Sequence, residues 1–306
     1  MNHLLLIVGP TGVGKSKLAL RLAQAFDGEI VSADSRQVYR YMDIATAKPR
    51  RDEMSLIPHH LINIVNPDEN FSLAQYQKLA YRAIDDIGQR HKLPILVGGS
   101  GLYVWSVVEG WGVPKVPPDP DFRCHLEARA AQGNGAELYC ELERIDPIAA
   151  ERIDKRNVRR VIRALEIYRG TKPAAHQPQP NKAPSYNILL IGLTADRVKL
   201  YHRIDLRVDR MIEQGLVQEV KRLTDMGYGL DLSAMSGIGY RQIGMFLKGE
   251  LSLTVAVQQI KFESHRFVRH QYNWFKLKDN RIQWFDITGE VGSEIITLVD
   301  KFIRAA

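Results

Sequence analysis

The sequence predicts an α/β fold: a mostly parallel sheet with helices on both faces, interrupted by a mostly helical insertion. Three observations carry that expectation. Short apolar runs alternate with helical patterns through the first third of the chain, the arrangement that favours parallel pairing through crossover helices. The alternation stops at a segment punctuated by Pro114, Pro117, Pro118 and Pro120, after which helical spacing runs to Gly170 without strand character. Strand character then returns at 187–193, NILLIGL.

Taken in order, residues 3–8 form a short apolar run closed by Gly9 and Pro10, the pattern of a buried strand. Residues 15–26 follow with helical spacing of Leu18, Leu22 and Phe26. A second strand is expected over 29–33, ending at Asp34, then a helix over 72–90 and a third strand over 94–97, ending in Gly98 and Gly99. After the insertion come the strand at 187–193, helices over 197–214, 216–226 and 254–275, and a late strand over 282–286. The expected division is a core of 1–118 with 187–306 and an insertion of 119–186, whose proline-rich end, 171–186, is expected to be a mobile loop. Parallel sheets of this kind hold ligands at the carboxyl ends of their strands.

The 306 residues are 45% hydrophobic and 25% charged, the balance of a globular protein. Two cysteines exclude a disulfide scaffold or a cysteine-rich zinc ribbon. The run 4–8 is too short to span a bilayer and has no basic leader, so a cytoplasmic protein without a membrane partner is expected, as a monomer. The net charge of +7 is unevenly placed: residues 152–172 hold eight basic against two acidic side chains, and 261–281 hold six against two. Local clusters of this kind suit a polyanion, nucleic acid ahead of a membrane surface. On a helix, Arg156, Arg159, Arg160 and Arg163 fall on one side and Val158, Val161, Ile162 and Leu165 nearly opposite. A solvated face is the alternative to phosphate contact.

Gly9-Pro-Thr-Gly-Val-Gly14-Lys15-Ser16 matches G-x-x-x-x-G-K-[ST] between a predicted strand and a predicted helix, the context a phosphate-binding loop requires. Its amides and Lys15 suit a di- or triphosphate, and Ser16 is placed to ligate Mg²⁺. The core is thus expected to be like that of the P-loop-containing nucleoside triphosphate hydrolases. ATP binding follows from the motif alone, and the third strand argues against a plain ATPase. The third strand ends in glycines and a serine where such proteins commonly place an acidic Mg²⁺ ligand. Those glycines fit either a close ligand or a tight turn. Asp34, at the end of the second strand, fits three roles: a general base, a capping box with Gln37, or the missing metal ligand.

The phosphate loop, the runs 34–39 and 42–49, Val97-Gly98-Gly99-Ser100-Gly101-Leu102-Tyr103, Arg160-Val-Ile-Arg163-Ala-Leu-Glu166, Gly239-Tyr240-Arg241-Gln242 and 269–275 occur in order along nearly the whole chain. Together they resemble the tRNA dimethylallyltransferase family. Two positions depart from its pattern: Ser100 where the family usually has Thr, and His270 where it often has Arg.

The resemblance implies transfer of a dimethylallyl group from dimethylallyl diphosphate to the N6 amine of the adenosine 3′-adjacent to the anticodon, tRNA position 37, with Mg²⁺ and without ATP. Carried over by position, Asp34 is the general base and Ser100 lies beside the substrate. Gly9 and Thr11 to Ser16 (Gly12, Val13, Gly14 and Lys15 between them) hold the diphosphate, with Arg203 as a further ligand and Arg207 second for that role. Contacts to the tRNA anticodon stem-loop are implied at Ser35, Arg36, Gln37, Arg123, Arg159, Arg160, Arg163, Gly239, Tyr240, Arg241, Gln242, Arg266, Arg269, His270, Gln271 and Lys276. Tyr272 and Trp274 are candidates to stack on bases, with core packing favoured for Trp274. The rival readings are an isopentenyltransferase acting on free adenine nucleotide, a small-molecule P-loop kinase, and an RNA-binding module with a vestigial loop.

Overall fold

The computed structural model describes residues 2–114, 116–170, 185–287, 289 and 291–305; most of the expected mobile loop, 171–184, lies outside the described residues. The chain divides into two compact units, Met1–Gly110 with Ala183–Ala306, and Trp111–Lys182. The division falls at Gly110/Trp111, before the proline-rich linker, where the sequence suggested 118/119 within it. Linker groups are spent on the helical unit: the Val116 carbonyl accepts from Arg163 and the Asp119 amide donates to Glu166.

In the larger unit, six strands form one sheet in the order β3-β2-β4-β1-β5-β6, every neighbouring pair parallel. They are β1 (Asn2–Val8), β2 (Gly28–Ala33), β3 (His59–His60), β4 (Leu93–Gly98), β5 (Tyr186–Thr194) and β6 (Gln283–Asp286). Leu5, Ile7, Ile95 and Ile191 are fully buried, which is why these strands read as continuous apolar runs. The interleaved helices are α1 (Lys15–Ala25), α2 (Arg51–Leu56), α3 (Leu73–Gln89) and α4 (Gly101–Val108). Ser72 and Gln75 form a capping box that starts α3. The buried hydroxyl of Tyr76 on α3 donates to Ser32 O at 3.1 Å, tying that helix to the end of β2.

The smaller unit contains α5 (Pro120–Arg129), α6 (Gly135–Ile145), α7 (Pro147–Glu151) and α8 (Val158–Gly170), with one π-helical turn at Ala130–Asn134. Leu126, Leu138, Leu142, Val161, Ile162 and Leu165 form its core. Beside that core lies Glu166, 2% exposed, gripped by Arg123 (2.7 and 2.8 Å), by the Asp119 amide and by Arg163. Burial alone would raise this carboxyl; Arg123, the amide and Arg163 override it and hold it down at about 2. The predicted stripe of four arginines is therefore corrected. Arg156 precedes α8 and pairs with Asp154 at 2.8 Å, and Arg163 turns to Glu166. Arg159 and Arg160 remain exposed.

The larger unit is completed by α9 (Arg197–Glu213), α10 (Leu216–Asp225), α11 (Tyr240–Leu247), α12 (Leu253–Trp274) and α13 (Val291–Arg304). Lys261 pairs with Asp209 at 2.7 Å and Tyr201 stacks on His265 at 4.1 Å, fixing α12 against α9. No helix among the described residues is long and apolar enough to cross a membrane.

Candidate active site

The site is built where β1, β2 and β4 end. β1 lies between β4 and β5, so the loop leaving it sits over the middle of the sheet's carboxyl edge. Gly12 (φ 78°) and Gly14 (φ 104°) take left-handed conformations that side chains resist, which allows the loop to curl before α1. Thr11, Gly12, Gly14, Lys15, Ser16 and Asp34 line a cavity of about 310 Å³. Val13 instead buries its side chain in the core, and Gly9 packs against Leu193, whose carbonyl a Cβ there would meet at 2.3 Å.

Lys15 donates to Pro10 O at 2.8 Å. Burial pushes its ammonium down to about 8, the Asp34 carboxylate opposes that drop, and the cationic Arg207 adds to it. A bound polyanion prefers the protonated lysine, so raising the pH through this value removes the binding form. The expected result is that kcat/KM for a diphosphate donor falls above about pH 8, by up to about tenfold per pH unit. A profile flat to pH 10 would contradict it.

Asp34 follows β2. Its Oδ1 accepts from the amides of Arg36 (2.8 Å) and Gln37 (3.4 Å), an Asx turn that aims the carboxylate. No capping box forms, because residues 35–38 make a turn and Gln37 is otherwise engaged. Gln37 accepts from Ser32 Oγ and donates to the carbonyls of Thr46 and Ala47. Ser100 Oγ accepts from the Ser35 amide at 3.0 Å, so the end of β4 supports the turn that carries Asp34.

The glycines at the end of β4 make room for the protein itself, and Gly98 and Gly99 also line the cavity beside the phosphate loop. A Cβ at Gly98 would meet Ala33 O at 2.1 Å, one at Gly99 the Gln271 amide nitrogen at 2.1 Å, and one at Gly101 the Trp274 ring at 2.2 Å. Tyr272 packs against the core and is bonded to Thr194 Oγ1 at 2.9 Å, which corrects its candidacy for base stacking, and the Trp274 ring packs on Gly101, in line with the packing favoured for it.

Arg203 borders the phosphate loop at Val13 and Gly14 in a separate depression, whereas the hydrogen bond to the loop comes from Arg207. Its Nη1 donates to Thr11 Oγ1 at 3.1 Å and it lines the cavity. Four residues advance a helix by about 6 Å and 40°, enough to leave Arg203 exposed on a separate depression with Lys17 and Arg21. A second cavity of about 350 Å³ shares Thr11, Asp34, Thr46, Arg207 and Phe267 with the first. Ser35 and Ser100 supply polar lining, and Ile204, Val208, Met211 and Ile260 supply apolar lining.

The residues expected at RNA divide by exposure. Arg241, Arg266, Arg269, His270 and Lys276 are exposed, as are Arg159 and Arg160 in the helical unit. Others are committed inside the protein. Arg36 holds the carbonyls of Ser233 (2.7 Å) and Ala234 (3.1 Å). Tyr240, 1% exposed, donates to Glu219 at 2.6 Å, while Gln242 accepts from the Gly239 amide at 2.9 Å. Glu219, unremarked in the sequence, also accepts from the amides of Asp43 and Ile44, anchoring the loop that brings Thr46 to the cavity.

Residues 37–278 match the family described as IPP transferase. The chain belongs to the IPP transferase family. A tRNA dimethylallyltransferase of Dehalococcoides mccartyi is 49% identical over 300 residues, 98% of this chain and 92% of that relative. One from Roseiflexus sp. is 48% identical over 305 residues, spanning both chains in full. Among solved structures, the full-length tRNA isopentenylpyrophosphate transferase of Bacillus halodurans aligns with a TM-score of 0.74 at 41% identity, over 100% of this chain and 98% of the other. A eukaryotic dimethylallyltransferase acting on tRNA aligns at 0.85 and 27% identity, over 100% and 80%. The chain thus pairs a phosphate loop after β1 with a carboxylate after β2, two strands away across β4.

Proposed function

We propose that this IPP transferase moves a dimethylallyl group from dimethylallyl diphosphate to N6 of the adenosine 3′-adjacent to the anticodon of tRNA. The observation that carries the reading is the joining of two unlike sites. A cationic cradle with Lys15 and Arg207 shares its cavity with Asp34, while β4 ends in glycines and Ser100 instead of a carboxylate. A phosphoryl-transfer enzyme needs to stabilise a phosphate that moves. This cradle suits a diphosphate that departs.

In the reaction, the C1–O bond of the donor breaks and the N6–C1 bond forms. Negative charge collects on the leaving diphosphate, where Lys15, Arg207 and the loop amides stabilise it. The adenine amine is a poor nucleophile because its lone pair is delocalised into the ring. Asp34 takes the N6 proton as the bond forms, and the cavity holds the two reactants together. Mg²⁺ fits the donor set: Ser16 lines the cavity, and the hydroxyl at this position of a phosphate loop commonly holds that ion beside the phosphates. Ser16 would hold it, and it would neutralise charge on the diphosphate. No cluster of three or more metal-binding side chains occurs among the described residues.

The adenosine must leave the anticodon-loop stack to reach Asp34. Exposed Arg241, Arg266, Arg269, His270 and Lys276 on the larger unit, and Arg159 and Arg160 on the helical unit, are the proposed phosphate contacts. A cytoplasmic location follows from that substrate. The test offers tRNA and AMP side by side with dimethylallyl diphosphate and Mg²⁺, and reads the nucleosides by mass spectrometry. Prenylated adenosine from tRNA is expected; preference for AMP would overturn the acceptor, and phosphoryl transfer from ATP the whole reading.

A further inference from the structure

Gln271, near the end of α12, is 3% exposed. Both ends of its amide are occupied by unlike parts of the site. Its Oε1 accepts from the Thr11 amide at 2.8 Å, and its Nε2 donates to the Gly99 carbonyl at 3.1 Å. The fit leaves no slack, since a Cβ on residue 99 would collide with that nitrogen. One consequence concerns the cradle. The Thr11 amide points at Gln271 and is not available to a phosphate, so Thr11 contributes through its hydroxyl, which already holds Arg207. A second concerns the base. Gly99 leads directly to Ser100, whose hydroxyl supports the Ser35 amide beside Asp34.

An unbroken line of contacts therefore runs from Arg207 through Thr11, Gln271, Gly99 and Ser100 to the turn of Asp34. We propose that Gln271 is a positioning residue: a strut that sets the distance between the departing diphosphate and the base. This deepens the proposed function and rests on it. It also replaces the expectation that Gln271 touches tRNA, because an amide only 3% exposed, with each end bonded within the protein, is not presented to RNA. The strut matters because bond formation requires the reacting atoms about 3–3.5 Å apart, and a 1 Å misplacement costs about 10²-fold.

The test uses the full-length enzyme with Gln271→Met, which removes both bonds at similar volume, and Gln271→Glu. Three quantities are read: kcat for transfer to tRNA, Kd for an anticodon stem-loop, and Kd for inorganic diphosphate. In the Met variant, kcat is expected to fall about 10- to 100-fold, with both Kd values within about threefold of wild type. The Glu variant supplies a readout that simple loss of packing would not move. A protonated glutamic acid reproduces both bonds, accepting from Thr11 and donating to Gly99; a carboxylate faces the Gly99 carbonyl with no proton to give. Burial raises such a carboxyl, so the ratio of variant to wild-type kcat should climb as the pH falls from about 8 to about 6.

Wild-type kcat in both variants, or a flat ratio, overturns the strut. So does a stem-loop Kd that rises in step with lost activity, which would make Gln271 an RNA contact, or a diphosphate Kd that does so, which would confine it to the cradle. If the Met variant does not fold, the pH ratio of the Glu variant decides. A wild-type enzyme that fails to prenylate tRNA removes the functional reading and the strut with it, whereas active variants remove the strut alone.

Discussion

Asp34→Ala is expected to lower kcat for prenyl transfer by about 10²- to 10⁴-fold and to leave tRNA affinity within about threefold. The size of the loss follows from what the carboxylate does. Without a base, the N6 amine must carry a full positive charge before losing its proton to water. The unchanged affinity follows from where Asp34 stands: it lines the inner cavities, and its Oδ1 is committed to the Arg36 and Gln37 amides. The remaining role left open by the sequence, metal ligand, makes a different forecast. A lost Mg²⁺ contact would be recovered in part by raising Mg²⁺ concentration, whereas a lost base would not. Single-turnover transfer measured across an Mg²⁺ series in wild type and Asp34→Ala separates the two, and near-normal turnover in the variant would end the base assignment. Loss of transfer with stem-loop binding retained would at the same time exclude an RNA-binding module whose loop is vestigial.

The strands and the phosphate loop were legible because their signals are local. A strand buried on both faces reads as an apolar run, and the loop's glycines, lysine and serine are fixed by contacts within eight residues. Asp34 was legible for the same reason, as the residue that ends β2. The two-residue strand β3 and the six-residue helix α2 escaped, since neither is long enough to show a period. What was not legible depends on which helix lies across which loop. The crowding at Gly98, Gly99 and Gly101 comes from Ala33, Gln271 and Trp274, the last two about 170 positions further along the chain. The same holds for charge. A run of arginines shows on the page, but that Arg163 shares the buried Glu166 with Arg123 emerges only when α5 packs on α8.

Arg207→Ala should lower kcat/KM for the donor by about 10²- to 10³-fold, whereas Arg203→Ala should change it by less than about twofold, the range of a surface charge. The two residues lie one helical turn apart, so helix propensity and overall charge change equally and only position differs. At the cavity, burial lowers the proton affinity of both Lys15 and Arg207, Arg207 lowers that of Lys15 further, and the nearby Asp34 carboxylate opposes both shifts. Such a site carries an excess of positive charge until an anion arrives. That charge is unfavourable in the free protein and becomes an asset as negative charge grows on the leaving group, which is the differential stabilisation that speeds a reaction. Arg207→Lys should recover only part of the loss, because an ammonium lacks the planar fork that meets two phosphate oxygens at once. The neighbouring lysine offers a second check. Arg207 helps to depress Lys15, so Arg207→Ala should move the alkaline limb of donor kcat/KM upward from about 8, and Arg203→Ala should leave it in place. A limb that moves with Arg203 instead would mean that the diphosphate lies on the outer side of α1, beside Lys17 and Arg21.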